Sequence, residues 1–364
     1  MILHVYFARR FLTTFLFVMS VFFGILVLIN LVEQVRRFEG EGVSFPALAA
    51  MTLLSVPETL YAILPLLVII TTLTLFLSLA RTSELVVSRA SGRSAYLSLF
   101  GPVVVTLLIG LGAVTVVNPI VAATTRQYDM LQDRLEGRTR STLALSDEGV
   151  WLRQGGATGQ TVIHADGANA DGTDLTGVSF IGFTPSGGPA YRIEAARARL
   201  EDGGWTIADA KEWRFDAPNP EQSAQSHETL RLPSTLTASQ ILDSFGDPAT
   251  VPIWALPGFI AEMRAAGFSA RRHAVYLQVE LALPVLLVAM VLTGAVFTMR
   301  HTRVARAGTM VLSALSLGFV LFFIRNFAQI LGESGQIPPG LAAWGPPVAA
   351  ILLPLGLLLH WEDG

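Results

Sequence analysis

Residues 98–117 read SLFGPVVVTLLIGLGAVTVV, an apolar run without a charged side chain. A membrane-spanning helix needs about 20 predominantly apolar residues. After this run the sequence becomes polar, with the mixed β-branched residues and turn residues of β-strands, and it stays so to residue 273. We therefore expect one large polar insert to interrupt the membrane-spanning part of the chain.

Further apolar segments lie on both sides of this region. Two precede it and three follow the insert, at 11–31, 51–80, 275–299, 308–331 and 341–359. The composition agrees, since 52% of residues are hydrophobic and only 15% are charged. Pro57 and Pro65 predict kinks in the second segment. The sequence thus predicts an α-helical membrane protein with six transmembrane helices, three before and three after an all-β insert.

The insert is expected to consist of short strands. Stretches such as GVWLR at 149–153 and QTVIH at 160–164 alternate with glycine-rich turns, a pattern typical of a sandwich, a jelly roll or an open barrel. The segment 216–236 is rich in Pro, Ser and Gln, and we interpret it as a loop. A helix is expected at 257–266, where Gly267 is a candidate C-cap.

Arginines in short loops predict the orientation, because cytoplasmic loops are enriched in basic residues. One side carries Arg9, Arg10, Arg81, Arg89, Arg93, Arg300, Arg303 and Arg306. The other side offers Arg36 and Arg37, which are offset by Glu33, Glu39 and Glu41. Both termini should therefore be cytoplasmic. We expect helices one to three with a cytoplasmic loop 81–94 in residues 1–120, a domain outside the cytoplasm at 121–273, and helices four to six at 274–364.

The sequence lacks the residues that several kinds of catalysis and metal binding require. A Walker-type ATPase needs a P-loop lysine, and the one lysine of the chain, Lys211, lies within the β-rich insert. The chain has no cysteine, and its histidines are scattered without metal-ligand spacing. We therefore expect no catalytic residues, no bound metal and no cofactor. The net charge of −3 does not suggest a nucleic-acid partner.

The end of the first apolar segment carries a cluster of charges. Glu33, Arg36 and Arg37 share one helical face if the helix continues through them, because their spacing is i, i+3 and i+4. They can be a surface ion pair that marks the membrane interface. Alternatively, the guanidinium groups can bind a phosphorylated lipid headgroup, since arginine binds two phosphate oxygens at once.

The loop between the second and third segments has the caps of a short helix. Ser83 is a candidate N-cap, Glu84 favours the positive end of the helix, and Gly92 is a candidate C-cap. Leu85 and Arg89 lie near one another on this helix. The loop is either a capped turn that obeys the positive-inside rule or a coupling helix that docks on an ATPase.

Three ionisable residues fall in the same half of the predicted membrane region. Glu58, Glu280 and Arg325 lie near the end of their segments opposite the arginine-rich loops. Charges within a membrane are costly and are usually paired. We therefore expect Arg325 to pair with Glu58 or Glu280 in a polar network, which either is structural or lines a polar cavity.

The architecture and several motifs resemble the LptF/LptG family of lipopolysaccharide-export permeases. The resemblance covers the whole chain, and its most specific stretches are VEQVRR at 32–37, LSVP at 54–57, SELVVSRASG at 83–92, GVWLR at 149–153 and IPP at 337–339. The acidic residue followed by two basic ones at 33–37 resembles the LptG branch more than the LptF branch.

The resemblance implies a transporter with several partners. These are a second, LptF-like permease, a dimer of an LptB-like ATPase, and LptC- and LptA-like bridge proteins. The permease pair would extract lipopolysaccharide from the periplasmic leaflet of the inner membrane and pass it to periplasmic jelly-roll domains. By position, Glu33, Arg36, Arg37 and Arg325 would face the glycolipid, and Glu84 with its neighbours would form the ATPase-coupling helix.

One departure from the family pattern concerns the charges in the membrane. A basic residue is often expected near positions 58 and 280, where this chain has Glu58 and Glu280. Two alternatives also stay open. The chain can be a permease for another lipid or for lipoproteins, or a membrane-anchored envelope sensor or assembly factor that needs no ATPase.

Overall fold

The computed structural model describes most of the chain. It covers residues 2–40, 42–82, 84, 95–136, 143–146, 149–156, 159–169, 172–184, 188–201, 203–215, 219–234, 241, 247–265, 269–298 and 307–362. Two compact units are present. Unit 1 comprises Met1–Gln132, Ala249–Trp254 and Arg271–Gly364, and unit 2 comprises Asp133–Pro248 and Ala255–Ala270.

Unit 1 is helical. Its helices are α1 (Ile2–Arg37), α2 (Phe45–Ala62), α3 (Leu64–Arg81), α4 (Ala95–Gly112), α5 (Asn118–Leu135), α7 (Arg271–Thr298), α8 (Ala307–Glu333) and α9 (Pro339–Glu362). A π-helical turn (Ala113–Val117) joins α4 to α5, and the remaining helix, α6 (Leu256–Ala265), belongs to unit 2. Among the residues that the structure describes, six stretches are long and apolar enough to span a membrane, at Leu3–Arg37, Leu64–Arg81, Ser98–Leu135, Arg271–Thr298, Gly308–Glu333 and Pro339–Gly356. The predicted three-plus-three arrangement of helices is confirmed.

The segment 51–80 is divided in two, where the sequence predicted one kinked helix. The break is at Ile63, whose backbone angles (φ −91°, ψ 3°) are not helical. Pro65 explains the break, because it has no amide hydrogen and its ring would clash with the carbonyl of Tyr61. α3 then begins with Pro65 in its first turn, a position that proline favours.

Helix α7 forms the centre of unit 1. It packs against α9, α8, α3 and α4, and most of its apolar stretch is buried. By contrast, only 11% of the residues in the apolar stretches of α1 and α8 are buried. On α1 the exposed side chains include Leu16, Phe17 and Leu28, and on α8 they include Phe323 and Phe327. These two helices therefore present apolar faces suited to lipid or to another membrane protein.

Unit 2 contains one antiparallel sheet of seven strands within the described residues. The strands are β1 (Leu143–Ser146), β2 (Gly149–Gly156), β3 (Gly159–Ala168), β4 (Asp174–Phe183), β5 (Pro189–Glu201), β6 (Gly204–Arg214) and β7 (Gln225–Pro233), and each pairs with its neighbours in sequence. The predicted all-β insert is confirmed. Its strand order is a meander, which is simpler than the Greek-key crossings of a jelly roll.

One face of this sheet is apolar and buried. Ile163, Leu175, Phe180, Ile193 and Trp205 are all almost inaccessible to solvent. The Trp205 ring meets Phe180 edge to face, with 5.9 Å between the ring centroids. Its indole N–H donates to Gln154 Oε1 over 3.4 Å, so the buried tryptophan keeps a polar partner.

The prediction of a loop over 216–236 was wrong in its second half, where β7 lies. Residues such as Leu230 and Leu232 pair with Ile207 and Trp205 of β6, and this pairing outweighs the polar composition. The helix predicted at 257–266 is present as α6 (Leu256–Ala265). The compact helical unit reaches Gln132 because α5 prolongs the third membrane helix, whereas the domain boundary predicted from sequence is at residue 120.

Close packing of α4 on α7 depends on Gly110. A β-carbon at this position would come within 2.6 Å of the Pro284 Cα, a backbone atom that cannot move aside. Two residues away, a β-carbon on Gly112 would meet nothing within 4 Å.

We predict that Gly110→Ala destabilises the protein by about 1–3 kcal/mol, the usual cost of overpacking a core. Gly112→Ala should be neutral or slightly stabilising, because alanine favours helices by about 1 kcal/mol over glycine. The thermal unfolding midpoints of the two variants in the same detergent provide the comparison. Equal midpoints would contradict the close approach of α4 to α7.

Candidate functional site

The charged end of α1 borders an open groove. The helix is continuous through Arg37, so Glu33, Arg36 and Arg37 are all helical, and all three side chains are exposed. The groove has a volume of about 900 Å³. It lies between the end of α1, the following turn and the start of α2, and it is lined by Leu31, Val32, Val35, Arg36, Phe38, Glu39, Gly40, Gly42, Val43, Phe45 and Leu48. We call it the α1–α2 groove.

The lining of the α1–α2 groove is amphipathic. Seven of its eleven residues are Val, Leu or Phe, and Arg36 and Glu39 supply the charges. Of the three predicted headgroup residues, Arg36 lines the groove, and Glu33 and Arg37 lie outside its lining. The predicted fourth lipid contact, Arg325, lies on α8.

The sequence did not reveal this groove. Its turn depends on Gly40 and Gly42, which have φ values of +87° and +69° that favour glycine. A Gly-x-Gly turn after an arginine pair signals a reversal of the chain, but it does not reveal that the two helices leave a gap.

A second polar site lies inside unit 1 and is centred on Glu280. Its side chain is 3% exposed, and its carboxylate accepts hydrogen bonds from the Tyr61 hydroxyl and from Asn118 Nδ2, the latter over 3.3 Å. Arg325 acts on Glu280 electrostatically, and its guanidinium donates to Asn326 Oδ1 over 3.2 Å. Glu58 accepts from the Thr125 hydroxyl over 3.2 Å.

The structure therefore places the predicted network residues differently. Glu280 and Arg325 interact through their charges, although no ion-pair contact joins them among the described residues. Glu58 is hydrogen-bonded to α5 through Thr125. The favourable field of Arg325 and two hydrogen bonds offset part of the cost of burying the Glu280 carboxylate.

Asn118 is a residue of this site that the sequence did not reveal. It is 1% exposed, and its Nδ2 donates to the Tyr276 hydroxyl over 3.1 Å as well as to Glu280. Its Oδ1 accepts from the backbone N–H of Ile253 over 3.0 Å. One amide side chain thus joins α5 and α7 to the segment Ala249–Trp254.

The π-helical turn next to Asn118 strengthens this junction. In a π-helix each N–H bonds the carbonyl five residues earlier, one residue farther than in an α-helix, and here the Asn118 N–H donates to the carbonyl of Ala113. The carbonyl of Thr115 accepts a hydrogen bond from the Trp254 indole over 3.3 Å. Irregular helices of this kind are frequent at functional positions.

A third site lies at the opposite end of α1. Glu84 accepts hydrogen bonds from the Arg10 guanidinium, at 2.7 Å to its nearer oxygen, and from the hydroxyls of Tyr6 and Thr82, each at 2.8 Å. The hydrogen bond from Arg10 holds the pKa of the Glu84 carboxyl below its usual value, so the group is ionised at neutral pH. The other predicted coupling residues, Ser83, Leu85, Arg89 and Gly92, lie outside the described residues.

Comparison with known proteins decides the family. The sequence profile of a family described as lipopolysaccharide export system permease LptF/LptG matches residues 5–360. The chain belongs to the LptF/LptG family. The family predicted from the sequence motifs is confirmed, and membership favours an export permease over the lipoprotein permease and sensor alternatives.

Two curated LptG proteins are similar to the chain. Both are named lipopolysaccharide export system permease protein LptG, one from Escherichia coli strain K12 and one from Escherichia coli O6:H1 strain CFT073. Each is 24% identical to the chain over 366 residues, which cover 98% of this chain and 97% of the relative. The similarity therefore extends over both units.

We predict that Asn118→Leu destabilises the protein, because it leaves the buried Ile253 N–H without an acceptor and removes a donor from Glu280. A buried unsatisfied polar group costs about 1–3 kcal/mol. The thermal midpoint in detergent should fall by several degrees. Gln127→Leu is the control, because Gln127 is an exposed residue of the same helix. A midpoint as high as that of the control would show that the Asn118 junction contributes little.

Proposed function

We propose that this LptF/LptG-family permease is an LptG-type subunit of an ATP-driven transporter that extracts lipopolysaccharide from the periplasmic leaflet of the inner membrane. The observation that carries the proposal is the α1–α2 groove, where Arg36 lines the groove together with an apolar wall of seven residues. Such a pocket suits an amphiphile with an anionic headgroup and acyl chains, because guanidinium binds phosphate and the wall shields hydrocarbon from water.

The energy for extraction has to come from a partner. Removing acyl chains from the bilayer exposes apolar area at a cost of about 25 cal/mol per Å². The chain has no P-loop, so we propose an LptB-like ATPase dimer that acts through the loop 81–94. Glu84 lies at the start of that loop, and its carboxylate is ionised.

The other partners fit exposed features of the two units. The apolar faces of α1 and α8 support pairing with a second, LptF-like permease across a lipid-filled cavity. Within the described residues, β7 pairs on one side only, with β6, and an unpaired strand edge can accept a strand from an LptC- or LptA-like bridge protein. Glu33 and Arg37 would then act at the rim of the headgroup site.

The central experiment is purification of the tagged chain from its native host in mild detergent, followed by mass spectrometry of everything that is recovered with it. We expect a nucleotide-binding ATPase, a second six-helix permease and lipopolysaccharide. The double variant Arg36→Gln, Arg37→Gln should retain both proteins but lose most of the lipopolysaccharide, because the phosphate-binding charges are gone.

Arg9→Gln is the matched control for this double variant. Arg9 is also exposed and lies on α1, but it is at the opposite end of the helix. Recovery of the chain alone, or with signalling or assembly proteins and no ATPase, would refute the proposed transporter. Unchanged lipopolysaccharide in the double variant would refute the headgroup role while leaving the transporter intact.

We also propose that both termini are cytoplasmic and that the β insert is periplasmic, as the arginine distribution indicates. The chain contains no cysteine, so single cysteines can be placed without background. A membrane-impermeant maleimide applied to spheroplasts should label Ser223→Cys. It should label Ala80→Cys only after the cells are permeabilised. Both positions are exposed, and the reverse labelling pattern would overturn the orientation.

A further inference from the structure

Helix α7 begins with two arginines, Arg271 and Arg272, on the side proposed to be periplasmic. Their charge is unfavourable there for two reasons. Basic residues near membrane helices favour the cytoplasmic side, and a cation in the first turn of a helix opposes the helix dipole. Arg271 nevertheless has specific partners. Its Nε donates to the Gly332 carbonyl over 2.7 Å, and its Nη2 donates to the Ile337 carbonyl over 2.6 Å.

The two carbonyls that Arg271 binds belong to the end of α8 and to the turn after it. Carbonyls in the last turn of a helix have no partner within the helix, and the helix dipole favours a cation at this end. The turn folds back on α8, since the N–H groups of Gln336 and Ile337 both donate to the Leu331 carbonyl. Arg271 of α7 therefore caps the end of α8.

The same ends of α7, α8 and α9 also pack closely. A β-carbon on Gly332 would come within 2.6 Å of the Ala342 Cβ on α9 and within 3.3 Å of a methyl carbon of Val275 on α7. On α9 the Trp344 indole donates to Gln278 Oε1 of α7 over 3.0 Å. Polar and apolar contacts thus join the three helices at one level.

A second attachment of α8 to α7 lies farther along the helix. Arg325 precedes Gly332 by seven residues, or about 10 Å at about 1.5 Å per residue, and it acts electrostatically on Glu280 of α7. A helix held at one point can still swing or turn about that point, whereas attachment at two heights fixes its position and its rotation. The hydrogen bonds of Arg271 are directional, so they fix the height of α8 more sharply than a charge interaction does.

We propose that Arg271 is a positioning residue that fixes the height and rotation of α8 against α7 and so keeps Arg325 in register with Glu280. This inference rests on the proposed function, in which α8 presents Arg325 and an apolar face to the lipid. Phe323 and Phe327, which are both exposed, lie on the same half of α8. Loss of the Arg271 hydrogen bonds would displace them together with Arg325.

The first experiment measures the position of α8 in the full-length chain in lipid nanodiscs. The chain has no cysteine, so spin labels can be placed at Phe327→Cys on α8 and Leu108→Cys on α4 without background. Both side chains are exposed, and α4 packs closely on α7 through Gly110. Arg271→Gln should widen the distribution of distances between the two labels, because α8 can then adopt several heights.

Conservative and control variants separate a positioning role from a general loss of stability. Arg271→Lys should narrow the distribution only in part, because one ammonium nitrogen replaces a fork that binds two oxygens. Arg264→Gln, at an exposed position of α6, should leave the distribution unchanged. Gly332→Ala should widen it by forcing α9 away, whereas Gly340→Ala should not, because its β-carbon would meet nothing within 4 Å.

The second experiment measures transport by the complete transporter complex, reconstituted in proteoliposomes with lipopolysaccharide. Arg271→Gln should lower the lipopolysaccharide released per ATP hydrolysed by about tenfold, the scale of one lost hydrogen bond to a charged group. The ATPase should still copurify with this variant and hydrolyse ATP. Arg271→Lys should recover part of the ratio, and Arg264→Gln should match the wild type.

Several outcomes would overturn the inference. They are an unchanged distance distribution in Arg271→Gln, normal release per ATP in the same variant, or loss of the ATPase from its complex. If Arg271→Gln misfolds, as its thermal midpoint would show, Arg271→Lys and Gly332→Ala carry the test. A wild-type complex without ATP hydrolysis or release would instead refute the proposed function, and the spin labels would still decide whether Arg271 holds α8 in place.

Discussion

The hydrogen bonds of one buried amide hold three segments of the helical unit together. Asn118 joins α5, α7 and the segment Ala249–Trp254, and its contacts with Glu280 and with the Ile253 N–H are buried. Because each unmet polar group would cost free energy in such surroundings, the three segments are constrained to meet in one geometry. The carboxylate of Glu280 can be buried because this junction and Tyr61 supply its donors.

Helix α1 is held differently from the rest of the unit. Near one end Arg10 binds Glu84 and Ser78, and near the other the buried Gln34 side chain donates to the Tyr128 hydroxyl over 3.1 Å. Between these polar contacts much of the helix surface is apolar and exposed. Dispersion forces against lipid and against protein are similar in strength, so the polar contacts at its ends contribute much of what fixes α1 in its position.

The number of helices and the insert could be predicted from the sequence because hydropathy reports on burial in a membrane directly. The position of the break at Ile63 was harder to predict, because Pro57 and Pro65 were both candidates for ending a helix and only Pro65 does so. Strand β7 was missed because its residues are polar, and its pairing with β6 decides its conformation. Asn118 and the Arg10–Glu84 pair were out of reach, because their partners lie 135 and 74 residues away in the chain.

The strand order of the insert has a consequence for the way the protein is made. Every strand of the sheet pairs with the strand just before or after it, so each hairpin can form as soon as its own residues have been synthesised. The helical unit cannot be completed in that manner, because Tyr61 meets Glu280 and Asn118 meets Ile253 only after the whole sheet has been synthesised. The sheet can thus fold before the last three helices have packed against the first three. A defect confined to the sheet should then appear during biogenesis, as slow assembly of the last three helices with the first three, before it appears as a defect in transport.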